Sequence, residues 1–150
     1  MIKFLKYIFS TFLLLVCFTS IKASHVPGGN ITYECIGPNT YVVTLTVFED
    51  CGTAFIGNMP ESISVTNTCG LTFSTNISLP IVTYQQEISQ LCLPMLGQSE
   101  CNGGGFPGVY MHIWRDTITL PGPCDSWIFS YDDCCRNASQ NLVGTGNDYY

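Results

Sequence analysis

The chain has 150 residues with eleven acidic and five basic side chains, a formal charge of −6, and nine cysteines. Three of the five basic residues, Lys3, Lys6 and Lys22, lie in the first 23 positions, so the remainder carries two, Arg115 and Arg136, against eleven acids, a charge of −9. A surface that acidic repels phosphate backbones and anionic lipid, which argues against nucleic-acid partners and electrostatic membrane docking.

Residues 1–23 read as a secretory signal peptide. Lys3 and Lys6 form a basic start, 7–19 an apolar run too short for a comfortable span, and Ala23 a small residue before a cut. Acylation at Cys17 is the weaker reading, because Val16 stands where a lipoprotein signal needs a small residue. Cleavage after Ala23 leaves one domain, 24–150, with no apolar stretch left to cross a membrane. It also leaves eight cysteines: Cys35, Cys51, Cys69, Cys92, Cys101, Cys124, Cys134 and Cys135. An even number in an exported chain predicts disulfides, with the pairing open.

In chain order, a turn-prone Pro27-Gly28-Gly29 leads into a strand over 30–35. Gly37-Pro38-Asn39 turns it back into a second strand over 41–48, with Val43, Leu45 and Val47 on one face and Thr44 and Thr46 on the other. Strands follow at 62–67 and 71–74, joined by a turn at Thr68-Cys69-Gly70, and another lies within 77–88, interrupted at Pro80. Residues 92–108, with Pro94, Gly97, three consecutive glycines and Pro107, leave no room for a regular element. A long strand over 109–120 sets Val109, Met111 and Ile113 against Tyr110, His112 and Trp114. The last full strand is 126–132, on which Trp127, Phe129 and Tyr131 alternate, and Asn147-Asp148-Tyr149-Tyr150 resembles the start of another. The module is therefore expected to be truncated at its C-terminal end. Short strands separated by turns, without helical periodicity, predict an all-β, disulfide-rich antiparallel sandwich of Ig-like type.

Adjacent Cys134 and Cys135 occupy a special place. Their Cα atoms are about 3.8 Å apart, short of the roughly 4.4 Å a relaxed disulfide needs, so each is expected to bond elsewhere.

Candidate chemistry is sparse. His25 and His112 have no nucleophile or second ligand at motif spacing, and no HExxH, GxSxG or phosphate loop occurs. The catalytic assignment is none. Cys92 with Cys101, and Cys134-Cys135, would suit zinc, but in an oxidising compartment disulfides take precedence. No cofactor is expected. Asp132-Asp133 with Asp125, or Glu49-Asp50, offer carboxylates to a structural calcium ion, a weaker reading than solvated acidic corners. Trp114 and Trp127 would serve a sugar-stacking platform, yet the alternation around Trp127 reads better as core. Asn30, Asn76 and Asn137 each begin an N-glycosylation triplet.

Four segments form an ordered series: Ser24-His25-Val26 through Gly28-Gly29, Ile31, Tyr33 and Cys35; the strand from Tyr41 to Asp50-Cys51; Cys92-Leu93-Pro94 to Cys101; and Tyr131 with Cys134-Cys135-Arg136-Asn137. The series resembles the N-terminal module of large secreted surface proteins of Bacteroidetes, which continue into PKD-like or other Ig-like repeats. Those proteins end in a gliding-motility-associated C-terminal domain recognised by the type IX secretion system. The resemblance implies a non-enzymatic structural or adhesive unit, an adhesin-like module at the N-terminus of an exported cell-surface protein. Its partner would be an extracellular polymer or protein ligand met by the loops at 92–108 and 52–61. Cys69 and Cys124 are additional to the family's cysteines, which implies that they pair with each other. Two alternatives compete: a lectin-like carbohydrate-binding module, which needs an exposed aromatic row, and a secreted hydrolase, which needs His112 beside a carboxylate and a nucleophile in an open pocket.

Overall fold

A computed structural model describes residues 26–52 and 55–132. The leader, His25, Cys134, Cys135 and the strand-like 147–150 segment lie outside the described residues. Among the described residues seven strands form two antiparallel sheets: β1 (Gly28–Gly37), β2 (Thr40–Asp50), β3 (Glu61–Thr66), β4 (Asn76–Leu79), β5 (Ile81–Glu87), β6 (Val109–Thr119) and β7 (Ile128–Ser130). The large sheet has the order β1-β2-β6-β5 and the small one β4-β3-β7. The chain is thus the disulfide-linked β-sandwich that its strand and turn spacing predicts. No described helix is long and apolar enough to cross a membrane.

The alternation of β2 dictates the packing. Val43, Leu45 and Val47 turn inward, and the opposite register on β6 brings Trp114 and Ile118 to the same layer. Ile63, Val65 and Leu79 of the small sheet close the core from the other side, with Phe73, Trp127, Phe129 and Tyr131 packed around its margin. Trp114 is fully buried, and its indole N–H donates to the Met59 carbonyl at 2.9 Å, so its one polar atom is paired. The β1–β2 turn places Asn39 at φ 52°, a left-handed conformation that asparagine tolerates well.

Pro80 does more than interrupt a strand. It lies between β4 in one sheet and β5 in the other, so a single residue carries the chain across the sandwich. Proline has no N–H to leave unpaired there, and its carbonyl accepts from Arg115 N–H at 3.0 Å.

Three expectations change. Residues 71–74 form no strand. The Asn67 side chain accepts from Cys69 N–H and Leu71 N–H and donates to the Leu71 carbonyl, replacing the ladder a partner strand would provide. The last strand contracts to Ile128–Ser130, because its ladder with β3 covers only Ser64 to Thr66. The 92–108 segment contains two short 3₁₀ turns, Leu93–Gln98 and Glu100–Asn102.

Candidate binding end and the buried histidine

Opposite ends of the large sheet differ in character. One end carries the β1–β2 turn. At the other, β2 runs out and β6 begins, and Cys51 N–H donates to the Gly108 carbonyl at 3.0 Å. Here the disulfide Cys51–Cys101, Cα atoms 4.8 Å apart, fastens the 52–61 loop to the 92–108 loop. The two segments expected to carry recognition are therefore neighbours, although thirty residues, 62–91, separate them in sequence.

The 92–108 loop is held by its own hydrogen bonds. Glu100 N–H donates to the Phe106 carbonyl at 2.7 Å and Phe106 N–H to Gln98 at 3.1 Å. Asn102 spans the loop, its amide donating to Glu87 Oε2 at 2.8 Å, the Leu96 carbonyl at 3.0 Å and Ser99 Oγ at 3.0 Å. Hydroxyl donation from Ser99 and Ser89, with the Asn102 amide, holds the Glu87 carboxyl below its ordinary value. The glycine run has a definite purpose. A Cβ on Gly104 would stand 2.0 Å from the Gln98 carbonyl oxygen, and Gly103 has φ 78°. On this braced frame Leu93 and Phe106 are exposed, as are Phe55 and Met59 of the neighbouring loop.

A second feature is a groove of about 340 Å³ between the sheets, lined by Gly29, Ile31, Leu45, Val47, Phe129 and Tyr131 among others. It exists because β7 is short and sits beside β1 without pairing to it, leaving their facing side chains to meet across a gap. Tyr33 and Phe129 approach to 6.1 Å between ring centroids.

His112 and Glu49 form the third feature. Val47 and His112 are register partners, so Glu49, two residues on, lies diagonally opposite the imidazole. His112 Nε2 and Glu49 Oε2 are 2.6 Å apart, with side-chain exposures of 0% and 3%. Tyr84 meets the imidazole edge to face at 5.2 Å and Trp114 stacks on it at 5.8 Å. Burial pushes the His112 pKa below its ordinary value, and the Glu49 charge opposes that shift without cancelling it. Glu49 thus belongs to the interior, not to an acidic calcium corner, and Asp50 uses Oδ1 to accept from Gly52 N–H at 3.0 Å. His112 does meet a carboxylate, as a hydrolase would require, but in a sealed setting where Nδ1 has no hydrogen-bond partner.

Of the cysteines, Cys69 and Cys124 are joined, Cα atoms 6.2 Å apart, while Cys35 and Cys92 are exposed free thiols. Trp114 lies in the core, and Trp127 is half-buried, edge to face with Phe73 at 5.9 Å, its indole donating to Gly122. Neither tryptophan forms an exposed stacking row. Asp125 and Asp132 are exposed, and no group of three or more metal-ligating side chains occurs among the described residues.

Sequence reasoning did not find the groove or the His112–Glu49 pair. The available signal was the persistence of the β2 alternation into Glu49, which puts a carboxylate on the inward face. Comparison with known proteins found no matching family model, no matching curated protein and no matching solved structure.

Proposed function

We propose that this chain is a structural or adhesive module of a larger exported cell-surface protein. It would present its loop end to a polymer or protein ligand outside the cell and carry no catalytic machinery. The observation that carries the reading is the Cys51–Cys101 bond, which locks the 52–61 and 92–108 loops together on a rigid sandwich and leaves Phe55, Met59, Leu93 and Phe106 facing solvent. Recognition by connections held on a stiff frame is the general solution for such folds, and exposed apolar clusters mark contact surfaces. Two disulfides in an all-β domain support an oxidising, extracytoplasmic setting. The burial of Trp114 and of His112 favours this reading over sugar stacking and over hydrolysis.

The test is attachment of the purified 24–150 module to cells and to their extracellular polymer, compared with a Phe55→Ser/Met59→Ser/Leu93→Ser variant. Loss of attachment by about tenfold with an unchanged far-ultraviolet circular dichroism spectrum supports the reading, since tenfold corresponds to about 1.4 kcal/mol spread over three small contacts. Equal attachment of both forms overturns the assignment of the loop end.

A further inference from the structure

Toward the Cys51–Cys101 end, the inward face of β2 and β6 exchanges aliphatic side chains for Glu49, Tyr110 and His112. The neighbouring strand is irregular at this point. Thr83 pairs with Ile113 and Gln86 with Met111, so two residues of β5, Tyr84 and Gln85, stand opposite His112 alone. Gln85 takes up the extra length at φ 51°, a left-handed conformation that costs a glutamine energy. A bulge re-aims the side chains beside it, and here the Tyr84 ring lies against the imidazole.

The two rings that touch His112 also hold the 56–59 segment. The Trp114 indole N–H donates to the Met59 carbonyl at 2.9 Å, and the Tyr84 hydroxyl donates to the Ile56 carbonyl at 3.3 Å. Tyr110, the register partner of Glu49, donates its hydroxyl to the Cys101 carbonyl at 3.0 Å. Both loops at this end are thus fastened, through backbone carbonyls, to aromatic side chains grouped about one buried acid–base pair.

The protonation states of that pair make different demands on the site. A neutral imidazole has one donor nitrogen and one acceptor nitrogen. With Glu49 Oε2 at 2.6 Å from Nε2, the proton belongs on Nε2, and Nδ1 is an idle lone pair. A second proton makes Nδ1 an N–H donor, still without an acceptor, on a side chain that is 0% exposed. An unpaired donor on a buried charged ring is costlier than an unused lone pair.

Few ionisable groups face the imidazole. Glu49 comes from β2 and Tyr84 from β5, where Glu87 is engaged by Ser89 and Asn102. Tyr110 comes from β6, and Glu61 from the start of β3, on the same face as Ile63. In the 92–108 loop, the Glu100 carboxylate lies beside Gly52. Residues 56–59 bring none, and Arg115, the one arginine or lysine among the described residues, bonds Thr44 Oγ1. Water is then the acceptor for a protonated Nδ1, and it reaches the ring when 56–59 lifts from Tyr84 and Trp114, at the expense of two neutral hydrogen bonds. Burial keeps the His112 pKa below its ordinary 6.5, and lifting the segment removes that burial, so the lifted form takes up the proton more readily.

We propose that His112 and Glu49 form a pH-sensitive latch for the loop end, in which proton uptake by His112 releases the 56–59 segment from Tyr84 and Trp114 while the sandwich stays folded. Weaker attachment in acid would follow only from the reading of the loop end proposed above, whereas the latch itself is tested without any attachment.

The test is hydrogen exchange of the purified 24–150 chain, followed by nuclear magnetic resonance from pH 7.5 to 5 and corrected for intrinsic exchange rates. The Trp114 indole N–H reports on the latch, and the Trp127 indole N–H, bonded to the Gly122 carbonyl, is the reference. Trp114 protection should be level above pH 6.5 and fall below it by up to about tenfold per pH unit, while Trp127 protection stays level. Throughout, it should lie at least about tenfold below the protection of the Leu45 and Ile63 amides, which marks an opening smaller than global unfolding. Trp114 protection that is independent of pH, or equal to that of the core amides, overturns the latch, and both results are read on the unaltered chain. In the Glu49→Leu/His112→Phe variant, which keeps Glu61, the fall should vanish. A fall of the same size there would assign the proton to another group and overturn the role of His112.

Discussion

Removing the Cys69–Cys124 bond tests how the sandwich is stabilised. The two cysteines are 55 residues apart, and closing a loop of that length in the unfolded chain costs about 14 cal/mol/K, or about 4 kcal/mol at 25 °C. Cys69 is exposed and Cys124 half-buried, so replacing both with serine removes little packing. Ser126 Oγ already lies 2.6 Å from Thr68 Oγ1 and 3.2 Å from Cys124 Sγ, leaving a polar setting in which serine hydroxyls are accommodated. The Cys69→Ser/Cys124→Ser variant should therefore keep its spectrum and lose about 4 kcal/mol of unfolding free energy, measured by guanidinium titration followed by tryptophan fluorescence. A loss below about 1 kcal/mol would refute the argument, because it would mean that the unfolded chain gains almost no freedom when a 55-residue loop is opened.

Other expectations concern the buried pair, the acid limb and the glycine run. Glu49→Leu or His112→Phe alone should cost about 3 to 5 kcal/mol, since each leaves a buried polar partner behind. The double variant should lie within about 1 kcal/mol of the parent or above it; a double that simply adds the two losses would contradict a direct pair. With the His112 pKa below its ordinary value, the unfolded chain takes up a proton first as pH falls. Stability is then complete above the unfolded value of 6.5 and declines below it, by at most about 1.4 kcal/mol per pH unit. The lowered Glu87 value gives a second decline beginning near 4.5, and unfolding titrations across pH 7.5 to 3.5 should show both, the first absent from the Glu49→Leu/His112→Phe double variant. Gly104→Ala forces the 92–108 loop open against the Gln98 carbonyl and should create a new protease cut there while the sandwich stays folded, visible in a limited-digestion ladder.

The architecture was legible wherever local pattern and tertiary role agreed. Val43, Leu45 and Val47 announce an inward face two residues at a time, and Pro80 marks an interruption that turns out to be the passage between sheets. Residues 71–74 misled because alternation predicts which side chains point inward but not whether a backbone partner exists. Phe73 packs against the core while Asn67 supplies the hydrogen bonds. The His112–Glu49 pair was hidden for a different reason. A carboxylate at the end of an apolar strand reads as the place where the strand meets water, and only the β2–β6 register shows that an imidazole waits opposite. The neighbouring positions of the 52–61 and 92–108 loops likewise depend on a long-range disulfide whose partners the cysteine spacing left open.

The one-residue joint at Pro80 has a mechanical corollary. Because β4 and β5 share no slack, pulling the two layers apart loads the β3–β4 and β5–β6 ladders almost at once. A tether of several residues would let one layer peel and rupture its bonds in sequence. Here tension is spread over rungs that yield together.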